Sequence, residues 1–374
     1  METNIIWCAR RAATIPHDKI YALIGISSDI VEYIDLKPDY EVDIQNVLTK
    51  WTESIFYQKG SLQIMSVAGI GSPRKLNNLP SFVPDLSSPP KAVSFWHPDE
   101  TKMYRAGTAY KTRIDLHGSG EGRVYMSGAA IGQVVELSPV FEERFAHPEH
   151  AADLHNWLEN AELLAMDRAI NEPELGTVHN AFWRTLIGNR DMADSEASPA
   201  FLFYYLLFRY SLARELGLKK WQLRGFDRVK EEYDPSGDPK FFKYGSEHAS
   251  VVFKHFLVKT ATHRRFGIVN LGTPRPGTEW ARSKQRGLLA LFPPETKAGV
   301  EGAASSLTEG DWVYLFRGAQ TPFVVRIDRS PEAKKLAGSP ICYVVGECYV
   351  NGAMDGSLLE TFISARQCED LYFH

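Results

Sequence analysis

Between Gly310 and Gly356 the chain is cut into apolar and aromatic words by Gly, Pro, Asp and Asn, a texture suited to strands joined by tight turns. Gly310-Asp311-Trp312-Val313-Tyr314-Leu315-Phe316 is followed by Thr321-Pro322-Phe323-Val324-Val325-Arg326, then by Val345-Gly346-Glu347-Cys348-Tyr349-Val350-Asn351-Gly352-Ala353-Met354-Asp355-Gly356. β-branched and aromatic side chains fit a pleated surface, and Gly or Asn accepts the positive φ of turns. Alternation along the first word places Trp312, Tyr314 and Phe316 on one face and Val313, Leu315 and Arg317 on the other. One face of that strand is wholly aromatic. By the same alternation Ile341, Tyr343, Val345 and Glu347 share a face of an unbroken strand.

Upstream, Ile44, Val47, Leu48, Trp51 and Ile55 recur near the helical period, with Asp43 placed to cap the helix. From residue 61 the texture becomes β: Leu62-Gln63-Ile64-Met65-Ser66-Val67, Thr112-Arg113-Ile114-Asp115-Leu116 and Arg123-Val124-Tyr125-Met126-Ser127 are short strand-like pieces between turns. A second helical block follows, with an apolar stripe through Leu154, Trp157, Leu158, Ala161, Leu164, Ala165 and Ile170 and a buried helix over Phe201 to Leu216. Residues 227–245 read as an exposed connection. The pattern predicts an α+β protein: a helical segment over 1–60, a β segment over 61–140, a helical insertion over 141–260 and a β-barrel segment over 261–374. The two β parts are expected to share one barrel, because neither alone offers enough strands to close and remove its edges.

In order along the chain, these words resemble the C-terminal region of fungal heterokaryon incompatibility (HET) proteins. Arg11-Ala12-Ala13-Thr14-Ile15-Pro16-His17-Asp18-Lys19-Ile20-Tyr21-Ala22-Leu23-Ile24-Gly25-Ile26 is similar to the segment that closes the HET domain, and Pro38-Asp39-Tyr40 follows. Leu79-Pro80-Ser81-Phe82-Val83-Pro84-Asp85-Leu86-Ser87, Val124 to Ile131, Ala181-Phe182-Trp183-Arg184-Thr185-Leu186-Ile187 and the Gly310–Gly356 words complete the set. Phe82 and Leu86 stand where the family usually has tryptophan, and Asn351 where it has histidine. The resemblance implies a barrel-bearing body. It also implies that most of the signalling domain preceding these words is missing near Met1, and with it the cell-death activity linked to that domain.

Composition bounds the partners. A formal charge of −4 argues against nucleic acid, since the basic runs are pairs such as Arg264-Arg265 and Lys219-Lys220, read as solvated surface. No secretory signal is evident, and the longest apolar run, Pro199 to Phe208, is too short for a bilayer span of ~20 residues. Cys8, Cys342, Cys348 and Cys368 lack zinc or disulfide-exchange spacing, which points to a reduced, cytoplasmic protein.

The motif-like stretches have plain readings. Gly118-Ser119-Gly120-Glu121-Gly122 is a hairpin turn rather than a phosphate loop, because strand-like pieces flank both sides. His147, His150 and His155 mark a solvated helix start after Pro148, not three converging metal ligands. Asn189 to Glu196 is a polar loop, not a carboxylate metal site. No GxSxG elbow, HExxH pair or dinucleotide fingerprint is present, so an enzyme of this sequence would work without a cofactor or metal.

The chemistry is therefore sought on the C-terminal strands. Tyr343, Arg326 and Glu347 are the catalytic candidates, with Trp312, Tyr314, Phe316 and His263 lining an apolar cavity; alternatively the aromatic face packs against the helical block, and Arg326 and Glu347 form a structural pair. Two functions follow. The first is a cofactor-independent cyclase or pericyclase of fungal secondary metabolism, which holds an apolar terpenoid or polyketide in a reactive shape and polarises it with one or two hydrogen bonds. The second is a non-catalytic incompatibility or recognition protein that keeps the family's sensor part without its effector. The missing signalling half tips the sequence reading towards the enzyme.

Overall fold

The computed structural model describes residues 13–24, 37–76, 78–88, 90–95, 104–107, 114–115, 123–168, 178–191, 193, 195–218, 239–271, 287–293, 307–331, 333 and 340–374. Its helices are α1 (Asp18–Ile24), α2 (Ile44–Lys59), α3 (Ala151–Arg168), α4 (Val178–Leu186), α5 (Phe201–Glu215), α6 (Pro239–Ala261) and α7 (Ser357–Ser364). Its strands are β1 (Ile114–Asp115), β2 (Val124–Val140), β3 (Arg265–Leu271), β4 (Gly287–Phe292), β5 (Trp312–Phe316), β6 (Phe323–Asp328), β7 (Ile341–Glu347), β8 (Tyr349–Val350) and β9 (Glu369–Phe373). The α+β class with a barrel is as the sequence predicts.

Among the described residues all nine strands belong to one sheet, and β2 organises it. Gly128 has both Phe316 of β5 and Glu369 of β9 as register partners, so these strands lie on opposite edges of β2. Further along, Gly132 and Gln133 face β5 on one edge and β3 on the other. The circuit β2–β5–β6–β7–β9–β2 closes a five-stranded barrel, with β7 and β9 parallel and the other pairs antiparallel. From the same β2, a wing of β3, β4 and β8 continues outwards. Irregular register at Ala130/Gly132, Val134/Glu136 and Leu137/Val140 marks bulges, which bend and twist β2 enough to serve both parts.

Strand alternation sends neighbouring side chains of β5 into different cores. Tyr314 and Phe316 pack with Val124 and Met126 of β2, Phe323 and Val325 of β6, Cys342 and Val344 of β7, and Leu371 and Phe373 of β9. A cluster fed by all five barrel strands is the barrel interior, and Val47, Leu48, Trp51, Ile55 and Phe56 of α2 close it. The Asp43 side chain accepts the Gln45 N–H at 3.3 Å at the start of α2, and Gly60 ends the helix in the left-handed region. Val313 and Leu315, on the other face of β5, join Val269 of β3, Leu288 and Ala290 of β4 and Val350 of β8 in a second core. The helical block forms a third, where Trp157, Phe182, Tyr205 and Phe253 cover Phe266, Ile268, Leu289 and Leu291 of the β3–β4 wing.

Several expected elements differ. Gln63–Val67 is a 3₁₀ turn rather than a strand; the consecutive residues Gln63, Ile64 and Met65 are all buried, without the alternation of a half-buried strand. The expected face of Ile341, Tyr343, Val345 and Glu347 is broken by a bulge: Val325 pairs with Val344 but Val324 with Gly346. Ile341 and Tyr343 therefore sit near Tyr372 and Tyr125, while Val345 enters the second core. Residues 68–71 lie against this bulge, Ile70 and Gly71 donating to Val344 and Val345 at 2.8 and 2.9 Å. Gly69 is required there, since its φ is +113° and a Cβ would stand 2.3 Å from the Val345 carbonyl oxygen. The Gly118–Gly122 turn, Cys8, Lys219-Lys220, Ile170 and residues 227–238 of the expected connection lie outside the described residues, whereas residues 239–245 of it are the first turns of α6 rather than a connection.

Among the described residues, no helix is long and apolar enough to cross a membrane. Phe316 offers the sharpest test of the barrel core, because its ring meets Phe373 edge-on at 5.6 Å across β2 and lies over Gly128. Phe316→Ala should lower unfolding free energy by about 3–5 kcal/mol in urea titration. Leu163→Ala, at a side chain 65% exposed on α3, should change it by less than ~0.5 kcal/mol.

Candidate functional site

Polar chemistry concentrates at the seam between the barrel, the β3–β4 wing and the helical block. Arg264, 1% exposed at the foot of β3, reaches Glu347, 3% exposed at the end of β7, through Nη2–H donated to Oε1 at 3.0 Å. Residues 90–95 thread across this pair. The Phe95 N–H donates to Glu347 Oε1 at 2.7 Å, the Ser94 hydroxyl to Oε2 at 3.2 Å, and Arg264 Nη2 to the Val93 carbonyl at 2.9 Å. Two guanidiniums approach the Phe95 ring, Arg264 at 4.0 Å and Arg190 at 5.9 Å from its centroid. Arg190 also donates to the Phe95 carbonyl and, at 3.0 Å, to the Tyr104 hydroxyl, which itself donates to the Gly188 carbonyl.

Two buried arginines thus grip one short peptide segment around one buried carboxylate. Burial works against both charges of the Arg264–Glu347 pair, raising the Glu347 pKa and lowering that of Arg264, while their mutual hydrogen bond opposes each shift. Two shallow clefts, each with room for about one water molecule, flank the segment, the first beside Arg190 and Lys259, the second beside Arg264 and Glu347.

The seven sequence candidates fall in three places. Trp312, Tyr314 and Phe316 do share one face, but it packs inside the barrel rather than against the helical block. Phe316 stacks on Tyr314 at 5.9 Å, and the Tyr314 hydroxyl donates to Glu369 at 2.7 Å; burial first, then this carboxylate, push the Tyr314 pKa far above that of an ordinary phenol. Arg326 and Tyr343 are register neighbours on β6 and β7, away from Glu347. An Arg326–Glu347 pair does not form: Arg326 binds Asp311 through two bonds of 2.9 and 2.7 Å, and Glu347 takes Arg264. His263 immediately precedes Arg264 in the left-handed region and lies 3.9 Å from Glu143.

Sequence reading missed Arg264, Arg190, Phe95 and Tyr104. Arg264-Arg265 looked like solvated surface, yet Arg264 is buried because its carboxylate partner returns 83 residues later. In the other polar stretches His150 bonds Asp153 at 3.2 Å, and Asp191 accepts the Ala193 and Ser195 N–H groups, both at 2.8 Å.

Glu347→Ala leaves Arg264 buried without its carboxylate and should cost about 3–5 kcal/mol in chemical unfolding, whereas Arg264→Met with Glu347→Leu should cost less than Glu347→Ala alone. Burial lowers the pKa of His155, His179, His263 and His374, reinforced by Arg209 at His155, Lys91 at His263 and Arg123 at His374, and opposed by Glu159 at His155 and Glu143 at His263. The folded chain then binds fewer protons than the unfolded chain just below the ordinary histidine pKa. The histidine contribution to stability is therefore fully present above about pH 6.5 and falls as pH drops below it, while Glu162 and Glu347, whose pKa values burial raises, act in the opposite sense nearer the carboxylate range. Thermal melts between about pH 7.5 and 6 should show a declining Tm.

No family model matches the chain, and no solved structure matches it. It is 23% identical over 405 aligned positions to heterokaryon incompatibility protein 6, OR allele, of Neurospora crassa, a match that covers 96% of this chain and 50% of that protein. The chain thus spans about half the length of the curated relative it matches, and its similarity to that protein runs along most of the chain.

Proposed function

We propose that this chain is a recognition body of the heterokaryon incompatibility type, equivalent to the C-terminal region of those proteins, and that it acts by binding rather than by catalysis. The alignment with the Neurospora crassa incompatibility protein over 96% of the chain carries this reading. The packing agrees with it: Tyr314 and Phe316 are spent inside the barrel core, and Arg326 and Glu347 are each matched to an opposite charge. A cofactor-independent cyclase acting on an apolar terpenoid or polyketide would need the aromatic face and the polar points Arg326, Tyr343 and Glu347 around one substrate. They stand in separate places. We also infer the division into 1–60, 61–140, 141–260 and 261–374 as units of organisation, with β2 and the later strands contributing jointly to the barrel.

Expression of the chain in Neurospora crassa strains of unlike incompatibility genotype tests this reading. Recognition predicts a genotype-dependent effect, either hyphal arrest in one strain or weakened incompatibility between strains that normally reject each other. Growth and heterokaryon formation equal to the empty-vector control in every genotype would overturn it.

A further inference from the structure

We propose that residues 93–95 are an internal ligand: they fill a peptide-binding slot at the seam, and an extended segment of a partner protein, carrying a hydroxyl residue followed by an aromatic one, takes their place. The manner of holding sets this segment apart. Neighbouring irregular segments are fastened main chain to main chain, Ile70 and Gly71 to Val344 and Val345, Ala106 and Gly107 to Gln320 and Ala319. Residues 93–95 instead offer main-chain groups to side chains: the Val93 carbonyl accepts from Arg264, the Phe95 N–H donates to Glu347 and the Phe95 carbonyl accepts from Arg190. Those side chains come from the α6–β3 turn, the end of β7 and the turn after α4. Main-chain bonds give peptide recognition its affinity, and pockets for side chains give it specificity. The pocket here takes Phe95, 2% exposed, whose ring lies 6.4 Å from Tyr104, 6.0 Å from Tyr349 and 4.0 Å from the Arg264 guanidinium. Ser94 adds its hydroxyl bond to Glu347, while Val93 remains 37% exposed.

Packing and charge decide that the slot is exchanged rather than emptied. The water-sized clefts flanking the segment, one beside Phe256 and Thr260 and the other beside Ser66 and Ser72, cost it contacts that close packing would supply. Yet an empty slot would leave Arg190, Arg264 and Glu347 without the main-chain groups they bind, and unmade bonds at buried charged groups are costly. The incoming segment must therefore bring carbonyls, an N–H and a ring at the same spacing. Two guanidiniums beside the ring favour an aromatic anchor over an aliphatic one. Glu347 accepts from the hydroxyl position and repels an acidic residue there. The inference deepens the recognition reading, on which the slot's use in the cell rests. Binding is measured on purified protein, so its failure leaves the strain experiment standing, and a failed strain experiment leaves the slot intact.

Tethering gives the internal segment an effective concentration on the order of 1 mM or more, so a free peptide competes poorly with it unless the segment is weakened. The probe is a dye-labelled peptide of residues 90–95, Pro-Lys-Ala-Val-Ser-Phe, with both ends capped, titrated by fluorescence anisotropy against the purified full chain. Phe95→Ala removes the anchor of the internal segment and should bind the peptide at least ~10-fold more tightly than the unaltered chain does. The same peptide with Phe95→Ala should bind neither protein. Because Phe95→Ala opens a core position, Ser94→Ala serves as a second variant: it removes one half-buried hydroxyl, keeps the ring and should tighten peptide binding by ~3-fold. Tighter binding of the phenylalanine peptide by Phe95→Ala, or by Ser94→Ala where Phe95→Ala does not fold, supports exchange. No binding by that variant, affinity equal to that of the unaltered chain, or binding that the alanine peptide matches overturns the proposal.

Discussion

Everything in this fold hangs on the ladder that β2 forms along both of its edges. One 17-residue strand supplies a wall of the barrel and the root of the β3–β4–β8 wing, pairing with β1, β3, β5 and β9 in turn. A regular strand of that length could not turn from one curvature to the other. Three register irregularities give it the necessary bends, at the cost of locally unpaired backbone. The helical block then covers the wing, its aromatic residues meeting β3, β4 and the far end of β2, where Trp157 donates to the Pro139 carbonyl at 2.8 Å.

The seam at Phe95 is where these parts are tied together. Glu347 belongs to the barrel, Arg264 to the wing and Arg190 to the turn after α4, and all three bind residues 93–95. A buried ion pair contributes little net stability by itself, but removing one partner is costly, so such a seam resists piecemeal change. It fixes relative placement more than it adds energy.

Local chemistry was legible in the sequence wherever neighbours in the chain decide the outcome. The Asp43 cap, the buried face of α2, the thick helix α5 and the aromatic face of β5 all follow from spacing within a few residues. What covers that face did not follow, because barrel closure depends on β9 meeting both β2 and β7. Of the strand over 124–140 only the piece from Arg123 to Ser127 was legible, because Gly128, Gly132 and Pro139 interrupt the local pattern of a ladder that is irregular in register. Gln63–Val67 was misread because five residues carry too little periodicity to separate a turn from a strand. The Arg264–Glu347 pair is a contact between distant segments, and neither residue's neighbours announce it.

The barrel's closing strand has a consequence for how the protein is made. Val124 opens β2, but its partner strand β9 begins only at Glu369, about 245 residues later. At ribosomal speeds of ~5–20 residues per second, a nascent β2 waits roughly 10–50 s before the barrel can shut. During that interval Val124 and Met126, buried in the finished core, have no β9 to cover them. Slow synthesis of the intervening helices would lengthen this exposure, so yield in a foreign host should respond to chaperone supply and to translation rate even when the mature protein is stable.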